Sequence, residues 1–81
     1  MENPLTNPKE NHMADNTYRV IEIVGTSTVS LTEAIKNGIA RAGETLRELD
    51  WFEVTNTRGH IENGEVAHFQ VTLKVGFKIV S

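Results

Sequence analysis

The chain has no cysteine in its 81 residues. Disulfide staples and thiolate metal sites are therefore excluded. A single domain this small is marginal without staples, and it gains by burying surface against further copies. No apolar run is long enough to span a bilayer, and there is no secretory h-region. The compartment this implies is the cytoplasm, without a membrane partner. An excess of basic charge is also lacking: the formal net charge is −3, with both signs mixed along the chain. That argues against a general nucleic-acid surface. Internal repeats and low-complexity segments are absent. Aromatics are scarce, with one Trp, one Tyr and three Phe, so the placement of Trp51 carries unusual weight.

Residues 1–16 differ from the rest. They hold almost no apolar content and both prolines, Pro4 and Pro8, which resist helix and ladder formation. This segment reads as a flexible leader. Met13 is a candidate natural start, with residues 1–12 as an addition.

Beyond the leader the pattern is β-α-β-β. Tyr18 to Val24 is rich in β-branched residues and reads as a strand, which Gly25-Thr26-Ser27-Thr28 ends. Ser30-Leu31-Thr32-Glu33 fits a capping box with Ser30 at the N-cap. Leu31, Ala34, Ile35, Ile39, Ala42, Leu46 and Leu49 recur at three- and four-residue spacing, which predicts a helix from Ser30 to about Leu49. Gly38 lies near that stripe and fits a close approach of helix to sheet. Trp51 to Ile61 and Glu65 to Ile79 then form a hairpin, because Asn63-Gly64 is a strong two-residue type I′ turn signal.

The fold class expected is α+β: a three-stranded antiparallel sheet with one helix packed on one face. A helix of that extent spans roughly 30 Å, whereas the hairpin strands span roughly 37–50 Å. The hairpin overhangs and one sheet face stays bare, so an obligate oligomer is expected.

With Asn63-Gly64 as the turn, Phe52 faces Val75, Val54 faces Leu73, Asn56 faces Val71 and Arg58 faces Phe69. On the other face Trp51 meets Gly76, Glu53 meets Lys74, Thr55 meets Thr72 and Thr57 meets Gln70. This register gathers the apolar residues on one face and leaves an opposite-charge pair and a Thr–Thr pair on the other. A bulge near Gly59 would shift its far end. Trp51 then points away from the core that Phe52 and Val54 address. A large aromatic there is either covered by another subunit or stacked on by a flat ligand. The residues alone favour the first reading. Gly76 opposite has no side chain and leaves room beside the indole.

Three stretches together with the first strand carry a resemblance: Val20-Ile-Glu-Ile-Val-Gly-Thr-Ser27, Thr45-Leu-Arg-Glu-Leu-Asp-Trp-Phe-Glu-Val54, Arg58-Gly-His-Ile61 and Phe69-Gln-Val-Thr-Leu-Lys-Val-Gly-Phe77. In this order and spacing they resemble the dodecins, small flavin-binding proteins that assemble into hollow dodecamers. The resemblance covers residues 17–80 and implies the same β-α-β-β domain and a homododecamer. It also reverses the reading of Trp51, which matches the tryptophan that stacks on flavin in that family.

Two further residues match family positions. Gln70 matches a glutamine that bonds the polar edge of the flavin, and a primary amide supplies both donor and acceptor. On the bland reading it is a solvated face residue. In the register above Trp51 and Gln70 lie six residues apart, roughly 20 Å, so a flavin touching both needs a site between subunits. Arg58 matches an arginine before glycine in dodecins that hold flavin mononucleotide (FMN), where a guanidinium fork fits phosphate. Its bland reading is an intersubunit ion pair. The register places it on the face opposite Trp51.

His60 and His68 fall on opposite faces in this register and show no familiar ligand spacing, so no metal site is expected. Asp50 fits ordinary turn chemistry or a bond to a ribityl hydroxyl, and Lys74 pairs with Glu53. No activated nucleophile, phosphate loop or dinucleotide fingerprint is present; Ser27 and Ser30 lie in a loop with no nearby histidine. A flavoenzyme also needs an open flavin face for substrate, which flavins packed between two tryptophans lack. The expected role is therefore not enzymatic: storage and sequestration of FMN or riboflavin, with quenching of its photochemistry. The alternative is a structural oligomer or a binder of another small ligand such as coenzyme A, which the resemblance leaves open.

Overall fold

The structure, a computed structural model, describes residues 16–79. The expected leader lies outside these residues except for Asn16. Strand β1 is Tyr18–Ser27, helix α1 Leu31–Gly43, strand β2 Leu49–Glu62 and strand β3 Glu65–Lys78. The three strands form one antiparallel sheet in the order β1-β3-β2. The β-α-β-β fold with one helix on a three-stranded sheet is therefore as expected.

Local chemistry sets the ends of α1. The Ser30 hydroxyl accepts from the Glu33 amide at 3.0 Å, which satisfies one of the free donors of the first turn. One residue group upstream, the Ser27 hydroxyl accepts from the Val29 amide at 2.9 Å. The strand β1 thus continues to Ser27, past the Gly25 at which a break was expected. Asn37 Nδ2 donates to the Thr26 carbonyl at 3.0 Å and ties the helix back to that strand.

The helix ends at Gly43, not near Leu49. The amides of Thr45 and Leu46 close on the Ala42 carbonyl at 3.3 and 3.0 Å, and the chain then leaves the helical path. Glu48 takes φ 60°, a left-handed conformation uncommon outside glycine. Its carbonyl accepts from the Lys78 amide at 3.1 Å, and Leu49 pairs with Phe77. Sheet pairing takes Leu49 out of the helical stripe that its spacing suggests.

Two glycines set how closely α1 approaches the sheet. A Cβ on Gly25 would run into the Ala34 carbonyl. One on Gly38 would meet Leu73 Cδ1 at 3.3 Å and Gly25 Cα at 3.4 Å. This is the close contact expected of Gly38, with Gly25 as its partner.

The core is small. Leu73, Val71 and Val75 are the largest fully buried side chains, with Ala34 beside them and Ile21, Ile23, Ile35, Ile39 and Leu49 packed around. Helix α1 packs chiefly on β1 and β3. Phe52 and Val54 face the core side, opposite Val75 and Leu73, yet remain 49% and 37% exposed. They are less covered than their alternation implies, because the 13-residue helix lies over the other two strands. Ile61 and Val66, out on the overhang, are exposed as well.

The hairpin turns at Asn63 (φ 53°) and Gly64 (φ 78°), the positive φ pair of a type I′ turn. From Trp51 to Val54 the register with β3 is the expected one. Between Val54 and Asn56 it shifts by one residue, and between His60 and Ile61 it shifts back. Thr55 and Ala67 are the extra residues of two compensating bulges, each re-aiming the side chains beyond it. Over the intervening stretch Asn56 faces Thr72, Thr57 faces Val71, Arg58 faces Gln70, Gly59 faces Phe69 and His60 faces His68. The expected pairs Asn56–Val71, Arg58–Phe69, Thr55–Thr72 and Thr57–Gln70 are replaced. Thr55 keeps a link to its expected partner through its hydroxyl, which donates to the Thr72 carbonyl at 3.3 Å.

Candidate functional site

The sheet face turned away from α1 is a field of cross-strand rows. Val20, Gly76 and Trp51 form one row; Glu22, Lys74 and Glu53 the next. Val24, Thr72 and Asn56 follow, and then Thr26, Gln70 and Arg58. Directly opposed residues share a face, and alternate residues along a regular strand do too. Trp51, Gln70 and Arg58 therefore lie on one side of the sheet.

This corrects the expected place of Arg58. The bulge at Thr55 reverses the parity of β2, so Arg58 lies on the Trp51 face and directly opposite Gln70. Gln70 and Arg58 are brought together. Trp51 and Gln70 are not: Gly76 and Gln70 stand six residues apart on β3, roughly 20 Å.

Trp51 is 42% exposed. Its indole covers Gly76, where an added Cβ would strike Cε2, Cζ2 and Nε1. The space expected to stand free beside the indole is thus filled by the indole itself. An aromatic ring so placed presents a platform to whatever approaches the face.

Among the described residues the hollows beside the candidate side chains are small. The one beside Trp51 is about 130 Å³ and is lined by Ile39, Leu49, Asp50, Trp51, Phe52 and Val75. Enclosing pockets run to about 300–1,000 Å³. A larger hollow of about 390 Å³ lies within the Gly43–Glu48 turn and includes none of the three candidate residues. Another, about 280 Å³, is lined by Thr26, Ser27, Thr28 and His68, next to the Arg58–Gln70 row.

Asp50 lies at a further irregularity, between Leu49 and Trp51. Its carboxylate acts on the Tyr18 phenol, whose pKa is raised above the ordinary 10.0 by hydrogen bonding to Asp50 first, then by desolvation and the carboxylate's charge. Both alternatives for Asp50, turn residue and ribityl ligand, thus acquire a competitor in Tyr18. The sequence signal for Tyr18 was its place in the β1 alternation with Val20, Glu22 and Val24, which marks one face. Lys74 stands opposite Glu53, as expected.

His60 and His68 are not on opposite faces. The second bulge sets them directly across from each other, with rings 5.4 Å apart between centroids and 20° from parallel. Among the described residues no group of three or more His, Asp or Glu side chains could hold a metal ion. No described helix is long and apolar enough to cross a membrane.

The sequence pattern of the dodecin family matches residues 17–80. The dodecin of Thermus thermophilus is 50% identical over 62 residues, which cover 76% of this chain and 90% of that protein. The solved dodecin of Streptomyces coelicolor superposes with a TM-score of 0.81 at 55% identity, covering 85% of this chain and 99% of the other. That of Streptomyces davaonensis gives 0.80 at 54% identity, over 83% and 98%.

Proposed function

The chain belongs to the dodecin family, and from that premise we propose that it is a self-assembling protein that binds flavin and holds it in a photochemically quiet state. The observation that carries the proposal is the shared face. Trp51 offers a stacking surface, while Arg58 and Gln70 stand side by side on the same side of the sheet.

In this reading the isoalloxazine ring stacks on the Trp51 indole, a contact worth about 0.5–1.5 kcal/mol beyond area burial. The Gln70 amide, with donor and acceptor on one group, addresses the polar edge of a flavin's pyrimidine ring. Arg58 takes the phosphate of FMN by charge-assisted hydrogen bonds. Because Trp51 and the Arg58–Gln70 pair are too far apart for one ring, the site is completed by a second protomer. Assembly and binding are then one event.

Assembly has its own support. A core with three large buried side chains is slight for a free-standing domain. The half-exposed Phe52 and Val54, with Ile61 and Val66 beyond them, supply apolar surface for neighbouring copies. A homododecamer is the assembly proposed.

The role is holding and not turnover. Excited flavin against an indole loses its energy by electron transfer, and a ring covered on both sides has no face for a substrate. The test is a titration of the flavin-free oligomer with riboflavin, FMN and flavin adenine dinucleotide, followed by absorbance and fluorescence. Saturable binding with loss of flavin emission supports the proposal. Absence of binding by all three leaves the structural oligomer, or a binder of another ligand such as coenzyme A.

A further inference from the structure

We propose that the cross-strand pair His60 and His68 sets ligand specificity under the control of pH: when charged, it favours a flavin that carries a phosphate over riboflavin. The inference rests on the reading of Arg58 as the phosphate residue. Between the bulges at Thr55 and Ala67, His60 pairs directly with His68, two residues beyond the Arg58–Gln70 pair. Alternate residues share a face, so both imidazoles lie on the Trp51 side of the sheet, in the row next to Arg58 and Gln70. Two residues along a strand span about 7 Å. The rings stack, with centroids 5.4 Å apart and planes 20° from parallel. His68 also lines the hollow of about 280 Å³ with Thr26, Ser27 and Thr28, and Thr26 is the β1 partner of Gln70. A ligand tail that reaches Arg58 on this face has room beside His68, among hydroxyl groups able to donate to phosphate.

Histidine is the side chain whose charge ordinarily changes between about pH 5 and 8. The charged residues around the pair are few. Arg58 stands in the row inward, and Glu62 and Glu65, opposed to each other, stand in the row outward. Helix α1 packs on the other side of the sheet, over Val71, Leu73 and Val75. Glu62 Oε2 lies 3.4 Å from His60 Nε2. With both rings neutral, a phosphate at Arg58 meets one cation and, beyond the rings, two carboxylates. With the rings protonated, two positive charges come between, and Glu62 pairs with His60. The ring nitrogens need not converge on the phosphate, because the effect is that of charge at about 7 Å. That is inside the screening length of about 8–10 Å at physiological salt. Riboflavin, with no phosphate, lacks this interaction.

The test titrates the flavin-free, full-length oligomer with FMN and with riboflavin at about pH 8 and about pH 5.5. It compares the unmodified protein with the double variant His60→Gln/His68→Gln. At the acid end, the ratio of FMN to riboflavin affinity should be about three- to tenfold higher in the unmodified protein than in the double variant. At the alkaline end the two proteins should agree. The double variant corrects for the phosphate's own proton, whose pKa is about 6. Salt at about 1 M should abolish the difference. Sedimentation checks that the double variant stays assembled, and a second measurement needs no variant. Calorimetry at about pH 7, in two buffers of different ionisation enthalpy, should find proton uptake on binding FMN and none on binding riboflavin. A double variant with the unmodified protein's pH response, or FMN binding without proton uptake, overturns the histidine assignment and leaves Arg58 as the phosphate residue. Equal affinity for both flavins at both pH values, unchanged by Arg58→Ala, overturns the reading of Arg58 and this inference with it.

Discussion

The Trp51 indole occupies the space above Gly76 that any side chain at position 76 would fill. The two residues are register partners on β2 and β3, so the orientation of the only tryptophan depends on the absence of a Cβ across the ladder. Gly76→Ala is therefore expected to turn the indole off its seat with the sheet intact. Trp51 fluorescence should shift, and flavin affinity should fall by about tenfold, roughly 1.4 kcal/mol. Unchanged emission and affinity in a folded Gly76→Ala oligomer would mean that the seat plays no part.

Arg58 should read the phosphate. Charge-assisted hydrogen bonds contribute roughly 1.5–3 kcal/mol, which converts to about ten- to a hundredfold in affinity. Arg58→Ala should lose that factor for FMN and much less for riboflavin, measured by calorimetric or fluorescence titration. Equal losses for both ligands would assign Arg58 to contacts between subunits.

Tyr18 offers a pH-dependent signal free of overlap, because it is the only tyrosine in the chain. The Asp50 carboxylate favours the neutral phenol and raises its pKa above 10.0. A raised folded-state value means that stability from this contact is fully present below the ordinary pKa and is lost as pH rises through the folded-state value. Ultraviolet titration of phenolate should show Tyr18 ionising late, and Asp50→Asn should move that ionisation down. Titration at the ordinary value in both proteins would show that the bond does not persist in solution.

Sedimentation should find a large oligomer and no folded species near 9.0 kDa. Replacing Phe52 with a polar residue, on the half-exposed helix side of β2, should weaken assembly because its ring has no covering helix within the protomer. A folded monomer with undiminished thermal stability would contradict the reading of that surface.

Much of the architecture was legible because local chemistry and pattern agreed. The Asn63-Gly64 turn fixed the hairpin, Ser30 and Glu33 fixed the start of α1, and the alternation of Phe52 and Val54 fixed the register around Trp51. The end of α1 was hidden because a leucine at position 49 satisfies both a helical stripe and a strand pairing with Phe77. Only the pairing decides between them, and Glu48 turns the chain with no glycine to announce it. The bulges were equally silent. Thr55 and Ala67 have none of the punctuation that glycine or proline gives, and each is set by pairing with the other strand. Their effects cancel at the ends and not in the middle, which is why Trp51 was placed correctly while Arg58, His60 and His68 were not. The roles of Arg58 and Gln70 came from the resemblance. Their adjacency came from the sheet.

The central claim is that Trp51 is the surface on which flavin is held and quenched. The most direct measurement compares flavin fluorescence on titrating FMN into the unmodified oligomer and into Trp51→Ala and Trp51→Phe. The account predicts tight, quenched binding to the first. Trp51→Ala should stay assembled, bind at least about tenfold more weakly and leave its remaining flavin fluorescent, with Trp51→Phe between the two. A Trp51→Ala protein that falls apart, while any surviving oligomer binds and quenches FMN as before, would contradict the account and make Trp51 a packing residue between subunits.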